Sequence, residues 1–385
     1  MIEIDACELC LRRTHLVGML ATRIERTGRG RAALGGLLAL PDDDLVSGLG
    51  ARHDRALHIA RERFEAARAR EEMARHRLTA VCRHAAGYPA PLLDLDDAPA
   101  MLHVAGDASA LGPLRGDDRD VPAVAVVGAR RATDYGLDTA FALGRGLAAS
   151  GITVVSGMAL GIDSAAHEGA LAGEGQTVAV LASGAERPYP AGKRALYRRI
   201  LRHGCAVSEL PPGTPVLRWA FPARNRIIAA LAAATVVVEA RERSGSLITA
   251  EIAADLGRHI GAVPGPVTGP RSAGTNALLH DGAAVVRDAG DALDLAAGPG
   301  APLRRRPAPP APRLAPRAPA APPVPGDPAL RRALDTVECG ADSPERLARA
   351  LGVDVSSASV ALTQLELGGF LRRRHDGSYA LRLSA

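Results

Sequence analysis

A chain of 385 residues has room for two or three domains, and 47% hydrophobic against 23% charged residues is a globular composition. The net charge of +5 leans toward a polyanionic partner without deciding it, and the longest apolar runs, such as IIAALAAATVVV (227–238), are too short to cross a bilayer. The opening MIEIDACELC places acids ahead of any base, the wrong flank for a secretory signal, and five thinly spread cysteines suit reduced thiols, so a cytoplasmic protein is expected. Residues 1–80 read as a helical domain. ARHDRALHIARERFEAARAREEMARHRL (51–78) lacks Gly and Pro and mixes charges at helical spacing. Cys7 and Cys10 form C-x-x-C, half of a tetrahedral zinc set. No second pair follows, and Cys82 and His84 join only through a long closure. No metal is expected, and both cysteines read as small apolar residues on a helix.

YPAPLLDLDDAPAMLHVAGD (88–107) then changes character and leads into a central domain assigned to 81–294, with 81–120 as its lead-in. Strand-like runs follow at 124–128, 153–157, 177–184, 205–210, 235–240 and 259–265, most of them separated by Ala/Leu-rich segments of helical length. Strands this apolar are buried on both faces, which predicts an α/β domain with a doubly wound, mostly parallel, Rossmann-like sheet. Such sheets bind ligands at the carboxyl ends of their strands. Residues 295–326 hold no acid and are dominated by Pro, Ala and Arg. They read as a linker able to reach about 100 Å in polyproline II. In 327–385, SPERLARAL, GVD and VSSASVALTQLELGG have helix–turn–helix spacing, and FLRRRHDGSYALRL adds a hairpin turning at Asp376-Gly377. That pattern is a winged helix with Arg372, Arg373 and Arg374 on the wing, a module that contacts duplex DNA or protein.

The central domain lacks several familiar chemistries. Its first turn, GARRATDYG (128–136), puts Arg130 where a dinucleotide fingerprint needs its second glycine. The second strand ends in Ser156-Gly157 rather than a ribose-binding carboxylate. Gly192-Lys193 is followed by Arg194, which breaks a Walker loop. Asp163 and His167 lie one helical turn apart near Ser156, but Asp163 reads as a helix cap and His167 as a packed neighbour. No catalytic residue and no cofactor are expected.

What the domain offers is a row of small and hydroxyl residues where helices begin: Gly128, Ser156-Gly157, Ser183-Gly184, Ser244-Gly245-Ser246 and Gly274-Thr275. Helix N-termini present free N–H groups and collect phosphates, and several along one edge suit a nucleic-acid strand. Arg130, Arg218, Arg224 and Arg226 add charge there, although Arg224 or Arg226 also has a structural reading, paired with Glu239 or Glu209. Phe221 and Trp219 flank these arginines in a chain with 3% aromatic residues. An aromatic face beside a basic groove stacks bases.

Taken in order, these motifs resemble the DNA-processing A family, DprA/Smf. The G-x-R turn at Gly128-Ala129-Arg130, SGMALGID (156–163), YPAGKRALY (189–197), SELPPG (208–213), FPARNRII (221–228), SGSLITA (244–250), VPG (263–265) and GTN (274–276) carry the likeness. The resemblance implies single-stranded DNA binding on the Rossmann-like domain, loading of RecA recombinase in natural transformation and recombination, and a homodimer formed through that domain. It implies that Arg130 holds phosphate, that Arg218 and Phe221 fill a basic and an aromatic position, and that Arg224 and Asn225 lie in the family's R-N-R core. The expected DNA-binding residues are Gly128, Arg130, Ser156, Gly157, Lys193, Arg218, Phe221, Arg224, Asn225, Ser244, Ser246 and Thr275. Two departures from the family pattern are Lys193 for Asn and Ala230 for Gly; Lys193 either contacts phosphate or keeps a helix start soluble. Two rival readings remain. One is a nucleotide-processing enzyme of the lysine-decarboxylase-like group, echoed by Pro264-Gly265 and Gly274-Thr275 but with Leu278 at the glutamate position. The other is a regulator acting through the winged helix.

Overall fold

The first strand of the computed structural model is two residues long. β1 (Ile4–Asp5) lies parallel to β2 (Leu78–Cys82), with Ile4 opposite Ala80. Between them run α1 (Glu8–Thr27), α2 (Arg31–Ala39), α3 (Asp42–Gly48), α4 (Arg55–Glu62) and α5 (Ala66–Arg75). β3 (Met101–Gly106) pairs antiparallel with β2. Strand and helix then alternate through β4 (Val124–Val127), α6 (Asp134–Ala149), β5 (Val154–Ser156), α7 (Ile162–Ala172), β6 (Thr177–Val180), α8 (Arg194–His203), β7 (Cys205–Ser208), α9 (Ala220–Leu231), β8 (Ala234–Val237), α10 (Gly245–Asp255), β9 (His259–Ala262), α11 (Ala273–His280), β10 (Ala284–Val285) and α12 (Ala289–Ala297). The structure describes residues 4–27, 31–114, 122–299, 326–338, 340–373 and 377–381.

These strands form one sheet in the order β1-β2-β3-β7-β6-β5-β4-β8-β9-β10. All six runs expected as strands contribute to it, and neighbours from β7 through β10 pair in parallel. β4 to β8 are buried along their whole length because helices cover both faces. Side chains alternate between the layers. Val124 and Val126 pack with Leu143, Leu147 and Ala166 of α6 and α7, whereas Ala125 and Val127 pack with Ile227 and Ile228 of α9. α6 and α7 meet backbone to backbone: a Cβ at Gly144 or Gly169 would strike the carbonyl of Ala166 or Phe141.

The N-terminal part differs from a separate helical domain. β1 and β2 are the edge of the same sheet, β3 joins them to β7, and these N-terminal elements belong to the same compact unit as the central strands and helices. The expected boundary at 80 falls inside β2. α1 packs its Leu16, Leu20 and Ile24 against α2 and α3 and against Trp219 and Ala220 at the start of α9. Among the described residues, no helix is long and apolar enough to cross a membrane.

The second unit, residues 307–385, contains α13 (Pro328–Glu338), α14 (Pro344–Leu351), α15 (Val355–Leu367), β11 (Leu371–Arg373) and β12 (Tyr379–Leu381). Ser343 caps α14 by accepting from Arg346 N, and Gly352 ends it in the left-handed region. Leu347, Leu362, Leu365, Leu371 and Tyr379 form its core. Three helices and an antiparallel pair, with Arg372 opposite Ala380, make the expected winged helix. Arg372 and Arg373 lie on its first strand; Arg374 and Asp376 lie outside the described residues, as does most of the expected linker, from 300 to 325. The linker's expected start at 295 falls within α12.

Candidate nucleic-acid interface

β4 has β5 on one side and β8 on the other, so the chain winds away from it in both directions and its carboxyl end faces a topological switch point. A cleft of about 490 Å³ opens there. Its first wall is the turn after β4. A Cβ at Gly128 would come within 2.7 Å of Ile162 Cγ1 and 3.0 Å of the Glu239 carbonyl, so only glycine lets the turn pass. Ala129 N donates to the Glu239 carbonyl at 2.7 Å, and Ile162 N donates to the Ala129 carbonyl at 3.2 Å. The Glu239 side chain is buried and clamps the turn from below, accepting from Thr133 N at 2.8 Å and Thr133 Oγ1 at 2.9 Å. Thr133 in turn caps α6 by accepting from Gly136 N.

Arg130 emerges from this fixed turn and is exposed. Its guanidinium lies 4.8 Å from the centre of the Phe221 ring, in cation–π range. Tyr189, 46% exposed, meets Phe221 edge-on with ring centres 5.8 Å apart. Arg130, Phe221 and Tyr189 thus form one contiguous cationic and aromatic cluster where the cleft meets a smaller adjoining pocket.

The floor is Arg224. It is 5% exposed, and one guanidinium N–H group is shared between the Gly157 carbonyl at 2.6 Å and the Val180 carbonyl. A Cβ at Gly157 would collide with this guanidinium, which explains the glycine. Asp163 lies nearby, accepting from Gly157 N at 3.1 Å and Ala159 N at 3.4 Å. It ties the loop down instead of capping its helix. Burial lowers the Arg224 pKa to about 10 against the opposing charge of Asp163, and burial raises that of Asp163 against the charge of Arg224. Asn225, one residue on, donates to the Gly245 carbonyl at 3.2 Å and joins α9 to the start of α10. The far wall is the loop after β8 with the N-terminus of α10, capped by Ser244. Arg131, Arg241, Arg243 and Arg271 complete the lining, so six arginines face one carboxylate, Asp163. Among the described residues, Arg130, Arg131, Arg241, Arg243 and Arg271 form no ion pair. The cleft is strongly electropositive, with apolar and aromatic ground between the charges.

Of the residues expected to bind DNA, Gly128, Arg130, Phe221, Arg224, Asn225, Ser244 and Ser246 line this cleft, and Gly157 lines a smaller pocket that shares Arg130, Phe221 and Arg224 with it. Others sit elsewhere. Ser156 is fully buried and its hydroxyl donates to the Val126 carbonyl at 2.7 Å. Thr275 is buried, donating to the Ser272 carbonyl at 3.1 Å. Both fasten backbone and offer no surface to a ligand. Lys193 reaches Glu168 at 3.4 Å, and Arg218 is exposed in the turn before α9; neither lines the cleft. Trp219 turns away from it. It is buried and its indole N–H donates to the Ala21 carbonyl of α1 at 2.9 Å. Arg226 is wholly structural, bonded to Asp97 at 2.7 Å and Glu209 at 2.7 Å. The partner Glu239 offered in the sequence reading serves the β4 turn instead.

Sequence reasoning passed over Arg241, Arg243, Arg271 and Tyr189. The available signal was position: RER (241–243) directly follows the strand-like run 235–240, at the carboxyl edge where such sheets bind ligands. The Ser156–His167 pairing carries no nucleophile. The Ser156 hydroxyl is committed to Val126, and His167 is fully buried against Thr177 Oγ1 at 2.6 Å. Burial, aided by the charge of Arg224, drops the His167 pKa to about 3. One further difference lies at the N-terminus. Cys7 and Cys10 are joined there by Cys82 and His84, because the pairing of β1 with β2 supplies the long closure that the linear sequence hides.

A doubly wound sheet with an arginine-lined cleft at its switch point, followed along the chain by a winged helix, defines the class. The chain belongs to the DNA recombination-mediator protein A family: that family's model matches residues 79–297, and the DprA winged helix domain matches 315–377. It is 53% identical over 185 residues to a DprA of Mycobacterium tuberculosis, covering 48% of each chain, and thus spans about half the length of that relative. It is 39% identical over 206 residues to the DNA processing protein DprA of Streptococcus pneumoniae, covering 54% of this chain and 70% of the relative. The crystal structure of that streptococcal DprA is similar with a TM-score of 0.59 and 31% identity, over 74% of this chain and 95% of the other. A structure of DNA processing protein A from Helicobacter pylori, described for its single-stranded DNA binding mode, is similar with a TM-score of 0.50 and 28% identity, over 56% of this chain and 94% of the other.

Proposed function

We propose that the chain binds single-stranded DNA across the switch-point cleft and acts as a recombination mediator in DNA uptake, delivering the strand to RecA recombinase. The observation that carries this reading is the surface made by Arg130, Phe221 and Tyr189 at the mouth of an arginine-lined cleft. Unstacked bases lie on aromatic faces, and phosphates seek arginine and helix N-termini. Duplex DNA has its bases already stacked and gains only the second term. The single-stranded DNA named for the Helicobacter relative supports the same ligand. Asn225, Ser244 and Ser246 supply polar groups beside the strand. Arg224 sets the positive floor without touching phosphate. Arg218, one turn before Phe221, extends the basic track beyond the cleft. A homodimer through the Rossmann-like domain would join two such tracks. The winged helix supplies a separate contact to duplex DNA or protein.

The test is anisotropy of a labelled oligo-dT and of a duplex of equal length across a salt series, with wild type and an Arg130→Ala/Arg243→Ala variant, followed by RecA strand exchange on strand coated with single-strand-binding protein. Preference for the single strand, lost in the variant, supports the cleft. Equal affinity of wild type and variant would falsify the site. A single-strand binder that leaves RecA loading unchanged keeps the site and removes the mediator role.

A further inference from the structure

We propose that Cys7, Cys10, Cys82 and His84 bind one structural zinc ion, which fastens the start of α1 to the edge of the sheet. The four donor atoms all lie within 4.8 Å of one another. Both Cys7 Sγ and Cys10 Sγ stand 3.3 Å from His84 Nδ1. In a tetrahedral site with ordinary zinc–sulfur and zinc–nitrogen bonds, the sulfur-to-nitrogen edge is about 3.5 Å, so the cluster is already close to the size required.

The backbone shows how a site with one half at residue 7 and the other at residue 84 is built. β1 and β2 run parallel with Asp5 opposite Val81, which sets the chain leaving β1 beside Cys82. Cys7 N donates to Cys82 Sγ at 3.5 Å, a contact that orients this sulfur from outside the ligand set. α1 begins at Glu8, so Cys7 and Cys10 flank its first turn and project the same way at i and i+3. On the other side, Ala85 N donates to the Cys82 carbonyl at 2.9 Å and closes a tight turn that brings His84 back over Cys82. The arrangement is C-x-x-C on a helix start facing C-x-H on a strand end. Three thiolates and an imidazole fill a zinc coordination sphere, leaving no open position for water or substrate; this is the chemistry of a structural site. The soft sulfur set favours zinc over magnesium or calcium.

The site has a mechanical consequence. α1 has 20 residues and spans about 30 Å. Its first turn would be held by the metal. Near its other end, Ala21 accepts from the Trp219 indole, and Glu25 Oε2 accepts from Trp219 N at 3.2 Å. Trp219 immediately precedes α9, which carries Phe221. The ion would thus pin one end of a strut whose other end holds the start of α9.

The experiment measures metal content of the purified, reduced full-length chain from zinc-supplemented cells, then titrates the chelated protein with cobalt. One zinc per chain is expected, with the visible d–d bands of a tetrahedral site and thiolate-to-cobalt charge transfer. His84→Ala and Cys7→Ala change exposed side chains and should retain the fold by circular dichroism while losing zinc and the cobalt spectrum. Cys205→Ala, a buried thiol elsewhere, should keep both. Chelation of wild type should lower its melting temperature and move Trp219 emission to the red, with neither change in His84→Ala. A folded, reduced wild type that carries no zinc and gives no tetrahedral cobalt spectrum overturns the proposal. So does a Cys7–Cys10 disulfide recovered from protein alkylated in the cells, which would make the pair redox-active instead.

Discussion

Removing the Phe221 ring separates the two forces assigned to the cleft. The ring is half-buried, with Arg130 over it and Tyr189 at its edge, and it packs against the buried cluster that holds Trp219, Ala220 and Ala223. Phe221→Leu keeps most of the apolar packing and deletes the π face. Base stacking on one aromatic is worth about 1–3 kcal/mol. That predicts a loss of affinity for oligo-dT of about 5- to 150-fold, since about 1.4 kcal/mol is tenfold. The loss should be constant across salt concentration, because stacking releases no counterions. Arg130→Ala removes a phosphate contact and should flatten the plot of log affinity against log salt by about 0.7 for that contact. The double variant should lose less than the sum of the singles, because each group partly orders the other, with a coupling of about 0.5–2 kcal/mol. Anisotropy of a labelled oligo-dT at several salt concentrations gives all three quantities. Wild-type affinity in Phe221→Leu, or a change of salt slope matching that of Arg130→Ala, would refute a stacking role for the ring.

Other consequences follow from the buried groups. Arg226→Met leaves Asp97 and Glu209 facing each other without their cation, and urea denaturation should show a loss of about 3–5 kcal/mol. Gly157→Ala forces the Arg224 guanidinium off its carbonyl partners and should cost at least about 2 kcal/mol by the same measurement, with a proportionate drop in yield. Burial lowers the pKa of His167 to about 3 and that of His103 to about 4. The unfolded chain therefore binds more protons than the folded one once the pH falls below the ordinary histidine value near 6.5. Stability should fall as pH drops from about 6.5 toward 4, by about 1.4 kcal/mol per pH unit for each histidine. His167→Asn should shallow that slope in a pH series of melting curves. Oligo-dT should leave Trp219 emission nearly unchanged, because the indole is buried against α1; strong quenching by the strand would place it in the cleft after all.

The sheet was readable in the sequence where its strands are doubly buried. β4 through β8 are continuous apolar runs because helices cover both faces, and no other element of that length needs such a composition. β1 offered nothing comparable. Two residues carry no periodicity, and their pairing with β2 is a tertiary fact. The helical reading of 1–80 therefore missed that this segment edges the main sheet, and the separation of Cys7 from His84 followed from the same omission.

Within the cleft the distinction runs through burial. The rule that ligands gather at strand ends points to the edge where the arginine-lined cleft opens, but it treats every hydroxyl there alike. Ser156 is the last residue of β5 and Ser244 lies in the loop after β8; one is spent on Val126 inside the sheet, while the other caps a helix at the cleft wall. The arginines divide in the same way. Arg224 and Arg226 are two residues apart on α9, so they point to different sides of one helix: Arg224 reaches the loop after β5 and the carbonyl of Val180, and Arg226 reaches the Asp97 lead-in. A motif spelled R-N-R thus places a cleft-lining asparagine between two buried arginines that hold the fold. Placing fixed charge beneath a binding surface has a physical use. Arg224 is already desolvated and held by carbonyls, so it raises the potential felt by a phosphate above it with no reorganisation on binding. The exposed arginines at the rim must give up water and side-chain freedom to do the same. On the proposed function, electrostatic attraction would accordingly be shared between a buried floor, which the fold must hold even without DNA, and an exposed rim that would set the salt dependence.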